Sequence, residues 1–216
     1  MPLIEYNGKK PKVSEKAHVS PTATLVGDVQ VLDNAVVWPG SVLRAENAPI
    51  TVGEYSTVFD GVMIFTRSEK SAVVIGNYCI IETGCALFGV FMEDYVTLSQ
   101  NSCVYEGASI GEGVVVLPES VVPSGMIVPA RVVLKGNPVQ TVREQNREAV
   151  MLQKERAENY SELFVKILHQ LPNAPNYVLT LPDLVKILLN LPGYQLAAGK
   201  EGDGEDSSGD GDGSQE

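Results

Sequence analysis

The sequence predicts an all-β solenoid of about six triangular coils over residues 1–136, followed by a long C-terminal α-helix. Three observations carry this. Apolar residues recur every six positions over most of the first 134 residues. The position four after each of them is mostly small or β-branched. From about Pro138 the six-residue period stops, and strong helix formers with a 3.6-residue apolar pattern take over.

The six-residue register begins at Val19, Leu25, Val31, Val37 and Leu43. It shifts and resumes at Val52, Val58 and Ile64, then, after an insertion, at Ile75, Ile81 and Leu87. One residue is then lost, and the series runs from Met92 through Leu98, Val104, Ile110, Val116, Val122 and Val128 to Leu134. Neither a helical period nor a two-residue alternation produces this spacing. Each hexapeptide makes one flat side, and three make a coil. The aliphatic side chain fills the interior, while residues such as Ala23, Ala35, Ser41, Ser56, Cys79 and Cys85 leave room at a corner. Stacked coils pair their backbone groups along the axis. In this reading Cys79 and Cys85 are small interior residues rather than metal ligands.

Asn137–Pro138 is expected to stop the coils and start a helix over 137–171, with Val142, Ala149, Gln153, Ala157, Tyr160, Phe164, Ile167 and Leu171 on one face. A helix of that length outruns a single coil, so it lies along the outside of its own solenoid or of a neighbour. Residues 172–196 read as a short helical extension, able to fold back on the body or to bind a partner. Residues 197–216 read as a disordered acidic tail, because 200–216 hold seven acidic residues against one lysine.

The chain has 216 residues and a formal net charge of −11, which argues against nucleic acid and anionic membrane surfaces as main partners. No apolar run reaches the length of a membrane span, and the N-terminus lacks the pattern of a signal or transit peptide. Cys79, Cys85 and Cys103 show no CxxC spacing and suit a reducing compartment.

Two stretches, "VWPGSVLRAE" and "VGEYSTVFDGVMI", carry a tryptophan-containing coil, an arginine-plus-acid corner and an aspartate loop. With "LKGNPVQTVRE" and "AENYSEL" further on, they resemble the γ-class carbonic anhydrase family over roughly residues 2–168. The resemblance implies a left-handed β-helix and a trimer, with zinc held by three histidines from two neighbouring chains. The metal of such a site lowers the pKa of a bound water that attacks carbon dioxide. The matching positions here are Phe65, Thr83 and Phe88. Phe59 stands at the family's glutamine, Gly61 at its asparagine and Glu46 at its corner acid; Arg44 and Asp60 match the family.

A phenyl ring offers zinc no lone pair, and a lone threonine hydroxyl is a poor ligand. No metal and no other cofactor is therefore expected. His18 and His169, the chain's two histidines, lie away from these positions and read as surface or packing residues. Phe59, Phe65 and Phe88 are expected to turn toward one subunit interface, with an Arg44–Asp60 ion pair fixing loops there. A hexapeptide acyltransferase needs a histidine base in a coil loop, and no coil carries a histidine after His18. Two readings stay open. The first is a non-catalytic scaffold or assembly subunit, a homotrimer or a trimer with paralogues, either cytoplasmic or on the matrix side of mitochondria within a larger assembly such as complex I. The second is an enzyme or small-molecule binder with a remodelled interfacial pocket.

Overall fold

Interior side chains stack in three columns, one for each face of a left-handed parallel β-helix. The computed structural model describes residues 3–170, the last three by backbone only. The first column is Leu3, Leu25, Leu43, Ile64, Leu87, Val104 and Val122. The second runs from Val13 through Val31 and Val52 to Val128, and the third from Val19 through Val37 and Val58 to Leu134. Each column has seven members, so the helix has seven coils, one more than the six-residue register indicates. The additional coil is N-terminal. Its Leu3 and Val13 are ten residues apart because a hairpin closed by Tyr6 and Lys9 lies between them. That turn hides the coil from a six-residue search.

The corners behave as their small residues require. Ala23, Ala35, Ser41, Ser56, Cys79 and Cys85 are fully buried. Ser41 Oγ donates to the Phe59 carbonyl at 2.7 Å and Ser56 Oγ to the Gly76 carbonyl at 2.7 Å. The thiols do the same, Cys79 to Glu93 O at 3.2 Å and Cys85 to Ser99 O at 3.1 Å. Burial pushes both thiols up to about 12, so they stay protonated at neutral pH.

Residues Val139–Glu144 are a strand, not the first turns of the helix. The alternation of "VQTV" with its β-branched residues suits an extended chain, and this strand pairs antiparallel with Val132–Gly136. It closes the last coil's third face, whose outer edge would otherwise leave backbone groups unpaired. Helix α1 then spans Arg147–Gln170. Asn146 caps it, its Oδ1 accepting from the Ala149 N–H at 2.9 Å, and Glu148 places an acid in the first turn. Leu171, the expected extension at 172–196 and the tail at 197–216 lie outside the described residues, as does the side chain of His169.

α1 lies along the third face of its own solenoid, from the strands of the first three coils to Thr97 of the fifth. Its buried residues are Val150, Gln153, Ala157, Ser161, Phe164 and Ile167. Val142, expected on this face, is exposed on the preceding strand. The contact is partly polar. Gln153 Nε2 donates to Thr97 Oγ1 at 3.1 Å and Ser161 Oγ to Asn34 O at 2.9 Å. Gln153 Oε1 is buried with no partner. An asymmetric double-mutant cycle follows. Thr97→Val strands both ends of the Gln153 amide and is expected to cost about 1–3 kcal/mol. Gln153→Leu also removes the unpaired oxygen and is expected to cost about 1 kcal/mol or less. The double variant is expected near wild-type stability in urea titrations. Strictly additive losses would show that the hydrogen bond contributes nothing.

Candidate functional site

The residues singled out from the sequence occupy two opposite edges of the first face. Phe65 and Phe88 follow its inward column and are in register with each other and with Arg44. Thr83 and Asp60 lie in the turns that enter this face from the third one, Thr83 between the strands Ile80–Ile81 and Ala86–Phe88. One chain therefore does not bring Thr83 to Phe65 and Phe88. A site using all three positions needs the edge of a second chain.

The Phe65 edge is an aromatic column with cations over it. Phe65 and Phe88 have ring centroids 6.0 Å apart, and Phe88 stacks on Tyr105 at 5.8 Å. The Arg44 guanidinium lies 4.5 Å from the Phe65 centroid, and that of Arg67 lies 4.7 Å from the Phe88 centroid. Arg67 comes from the inserted loop after Phe65, which Asn47 ties down through Nδ2 bonds to the Thr66 and Arg67 carbonyls. The sequence places Arg67 in an inserted loop over 65–73 that reads as solvated, and it gives no role to Tyr105. The signal was the six-residue spacing, which puts Tyr105 directly after the inward Val104 as Phe88 follows Leu87.

Arg44 pairs with Glu46, Nε to Oε1 at 2.8 Å, and not with Asp60 of its own chain. The two acids differ in reach: Glu46 shares the corner that Arg44 enters, while Asp60 is on the far edge. Asp60 has no cationic partner among the described residues, and burial raises its carboxyl above the usual range. Phe59 does not join Phe65 and Phe88. It stacks on Trp38 at 5.2 Å and meets Tyr160 edge-on at 4.9 Å, under α1. Phe164 closes this second aromatic group against Trp38 at 4.9 Å and lies 6.2 Å from the half-buried His18 ring. The helix thus claims the ring that the sequence alone would assign to the cleft.

The donor set does not fit zinc. Two of the three positions are rings, the third is Thr83, and two guanidiniums lie over the rings. Among the described residues, no cluster of three His, Cys, Asp or Glu side chains within one chain is placed to hold a metal. None of their helices is long and apolar enough to cross a membrane.

The coils, the arginine corner and the helix laid back along the third face define a hexapeptide-repeat left-handed β-helix. Comparison with known proteins narrows the class. The chain is 30% identical over 151 residues to a probable carbonic anhydrase of Methanocaldococcus jannaschii, covering 70% of this chain and 94% of that one. It is 28% identical over 172 residues to the mitochondrial gamma carbonic anhydrase 1 of Arabidopsis thaliana, covering 74% of this chain. It spans 60% of that relative's length. A crystal structure of a hexapeptide transferase family protein from Anaplasma phagocytophilum superposes with a TM-score of 0.72 at 28% identity, over 76% of this chain and 97% of the other. No family model matches the chain. The chain belongs to the γ-carbonic anhydrase-like family.

Proposed function

We propose that this chain is a non-catalytic member of its family, a trimeric scaffold or assembly subunit. The observation that carries this reading is the arginine-capped aromatic column at two of the three positions where the family's site would need imidazoles. The trimer is supported by the first face. Beyond Thr24, its outward row of Val42, Met63, Ala86, Cys103 and Val121 is apolar, and Met63 is 44% exposed. The third face has its own helix as cover; this face has none among the described residues. A second chain laid on it would bring its Asp60 edge toward the Arg44 edge of the first. Asp60 then gains a cation. Its raised carboxyl holds a proton to higher pH when folded, so ionising it near neutrality costs stability that a facing guanidinium would offset. Homotrimers and trimers with paralogues both satisfy this geometry, as does a place in a larger complex. The unpaired thiols fit the cytoplasm, with the mitochondrial matrix as the alternative.

A second reading, a small-molecule site in the same cleft, has one observation in its favour. Arg67 forms no ion pair among the described residues and projects over Phe88. It would hold an anion there rather than a metal.

The purified chain is expected to run as a trimer in light scattering, to contain no stoichiometric zinc, cobalt or iron, and to hydrate carbon dioxide no faster than buffer. About one metal per chain together with hydration activity would overturn the non-catalytic reading. A stable monomer at micromolar concentration would remove the scaffold.

A further inference from the structure

The outer side of α1 carries an apolar spot that its described neighbours leave bare. Met151 and Leu152 are 50% and 60% exposed, and with Arg147, Glu148 and Glu155 they line a shallow groove. At 100° per residue these positions lie opposite the face that docks on the solenoid. Two adjacent apolar side chains make a small patch, and its charged rim is what sets it apart.

The ring of charges is ordered. Arg147 stands one turn before Met151, and Glu155 one turn after it. Consider a second copy laid antiparallel across Met151. Arg147 of each copy is then level with Glu155 of the other. Sliding the pair half a residue toward Leu152 sets Glu148 level with Glu155 and Arg147 level with Arg156, all like charges. A parallel pair sets Arg147 against Arg147. A crossing centred on Leu152 sets Glu148 level with Arg156, but Arg156 already pairs with Glu82 of its own chain at 3.7 Å, so the crossing centred on Met151 is the one that matches opposite charges left without an ion pair among the described residues. We propose that this spot is a two-fold contact between two copies of the chain, made by antiparallel α1 helices crossing at Met151. Such a contact is isologous, so every ion pair occurs twice. It is also small beside a standard interface. A single contact is therefore weak, with a dissociation constant on the order of 100 µM. It gains where several chains are already joined in one particle. The contact is separate from the first face. A single chain would pair into a dimer and a trimer, with three such spots, would join further trimers, so the success or failure of the contact leaves the trimer undecided.

The test is sedimentation equilibrium of the full chain from roughly 10 to 500 µM, a range that brackets such a constant. The mass is expected to rise with concentration, toward twice that of the basic particle if it is a single chain and beyond twice if it is a trimer. Arg147→Glu and Glu155→Arg each turn two attractions into two repulsions, and each is expected to weaken doubling about tenfold or more. The two together in one chain restore opposite charges and are expected to return the constant to within about threefold of wild type. Met151→Lys is expected to abolish doubling. All four variants change exposed positions, and unchanged circular dichroism and basic particle mass would show that they fold. A wild-type chain that never exceeds its basic particle overturns the proposal; this includes the case where other parts of the chain cover the spot. A double swap as weak as the single ones overturns it too, as does a Met151→Lys chain that still doubles.

Discussion

Gly53→Ala is expected to destabilise the chain by about 3 kcal/mol or more, lowering the melting temperature by roughly 10 °C. A methyl group there would sit 2.2 Å from the Gly76 carbonyl oxygen, 2.5 Å from its carbon and 2.8 Å from the Ile75 oxygen. These are backbone atoms, so no rotamer change relieves the clash. They are also committed. Gly53 N–H donates to Ile75 O at 2.9 Å, and the Gly76 carbonyl accepts from Ser56 Oγ at 2.7 Å. Ser56 Oγ in turn accepts from the Cys79 N–H at 2.9 Å. Moving Gly76 away therefore loosens one corner of two consecutive coils. Each coil of a solenoid touches mainly its neighbours, so amide exchange is expected to quicken around residues 53–58 and 75–81 first. Gly125 is the control. Its φ is +69°, but a methyl group there meets nothing within 4 Å. Gly125→Ala carries only the left-handed backbone strain, about 1 kcal/mol. Equal losses at the two positions would show that coil spacing is not what Gly53 protects.

The same contrast explains what could be read from the chain. Six-residue spacing is a one-dimensional property, so Val19 to Leu134 revealed the coils and even placed the inserted loops. Leu3 and Val13 escaped because a hairpin, not a corner, separates them. The strand at Val139–Glu144 escaped because "REQNRE" beside it is strongly helical, and the helical pattern was extended across the boundary. Positions within a coil were legible, but their cover was not. Phe59 occupies the expected turn, yet Tyr160 of a distant helix takes its ring. Arg44 likewise occupies its corner, and proximity along the chain gives it Glu46. Val150 and Ser161 complete the buried side of α1 in place of Val142, because the helix starts at Arg147 and not at 137.

Restoring the three imidazoles by Phe65→His, Thr83→His and Phe88→His is expected to give a chain that binds little zinc. Three histidines at a suitable spacing are normally enough for a zinc site, provided they are neutral and converge. Here two obstacles remain. The first is geometric. Position 83 lies on the other edge of the first face from 65 and 88, so the site can form only between two chains. The second is electrostatic, and its strongest contributor is Arg67. Its guanidinium lies 4.7 Å from the ring that would become the third imidazole, and it has no carboxylate among the described residues to neutralise it. A fixed positive charge at that range opposes a divalent cation and favours release of the metal. Arg44 opposes it less, because Glu46 is paired with it at 2.8 Å. The triple variant should also lose the Phe65–Phe88–Tyr105 contacts and melt a few degrees lower, since each aromatic pair contributes about 0.5–1.5 kcal/mol. Adding Arg67→Gln to the triple variant is the decisive step. Zinc affinity, measured by competition with a chelating dye, is expected to rise about tenfold or more. A triple variant that loads one zinc per chain with Arg67 in place would show that the arginine does not guard the cleft. If neither variant binds zinc, no neighbour brings position 83 opposite positions 65 and 88, and the shared cleft between chains falls with it. If the quadruple variant binds zinc and the triple does not, the cleft is shared and its loss of metal was completed by a charge as well as by the missing imidazoles.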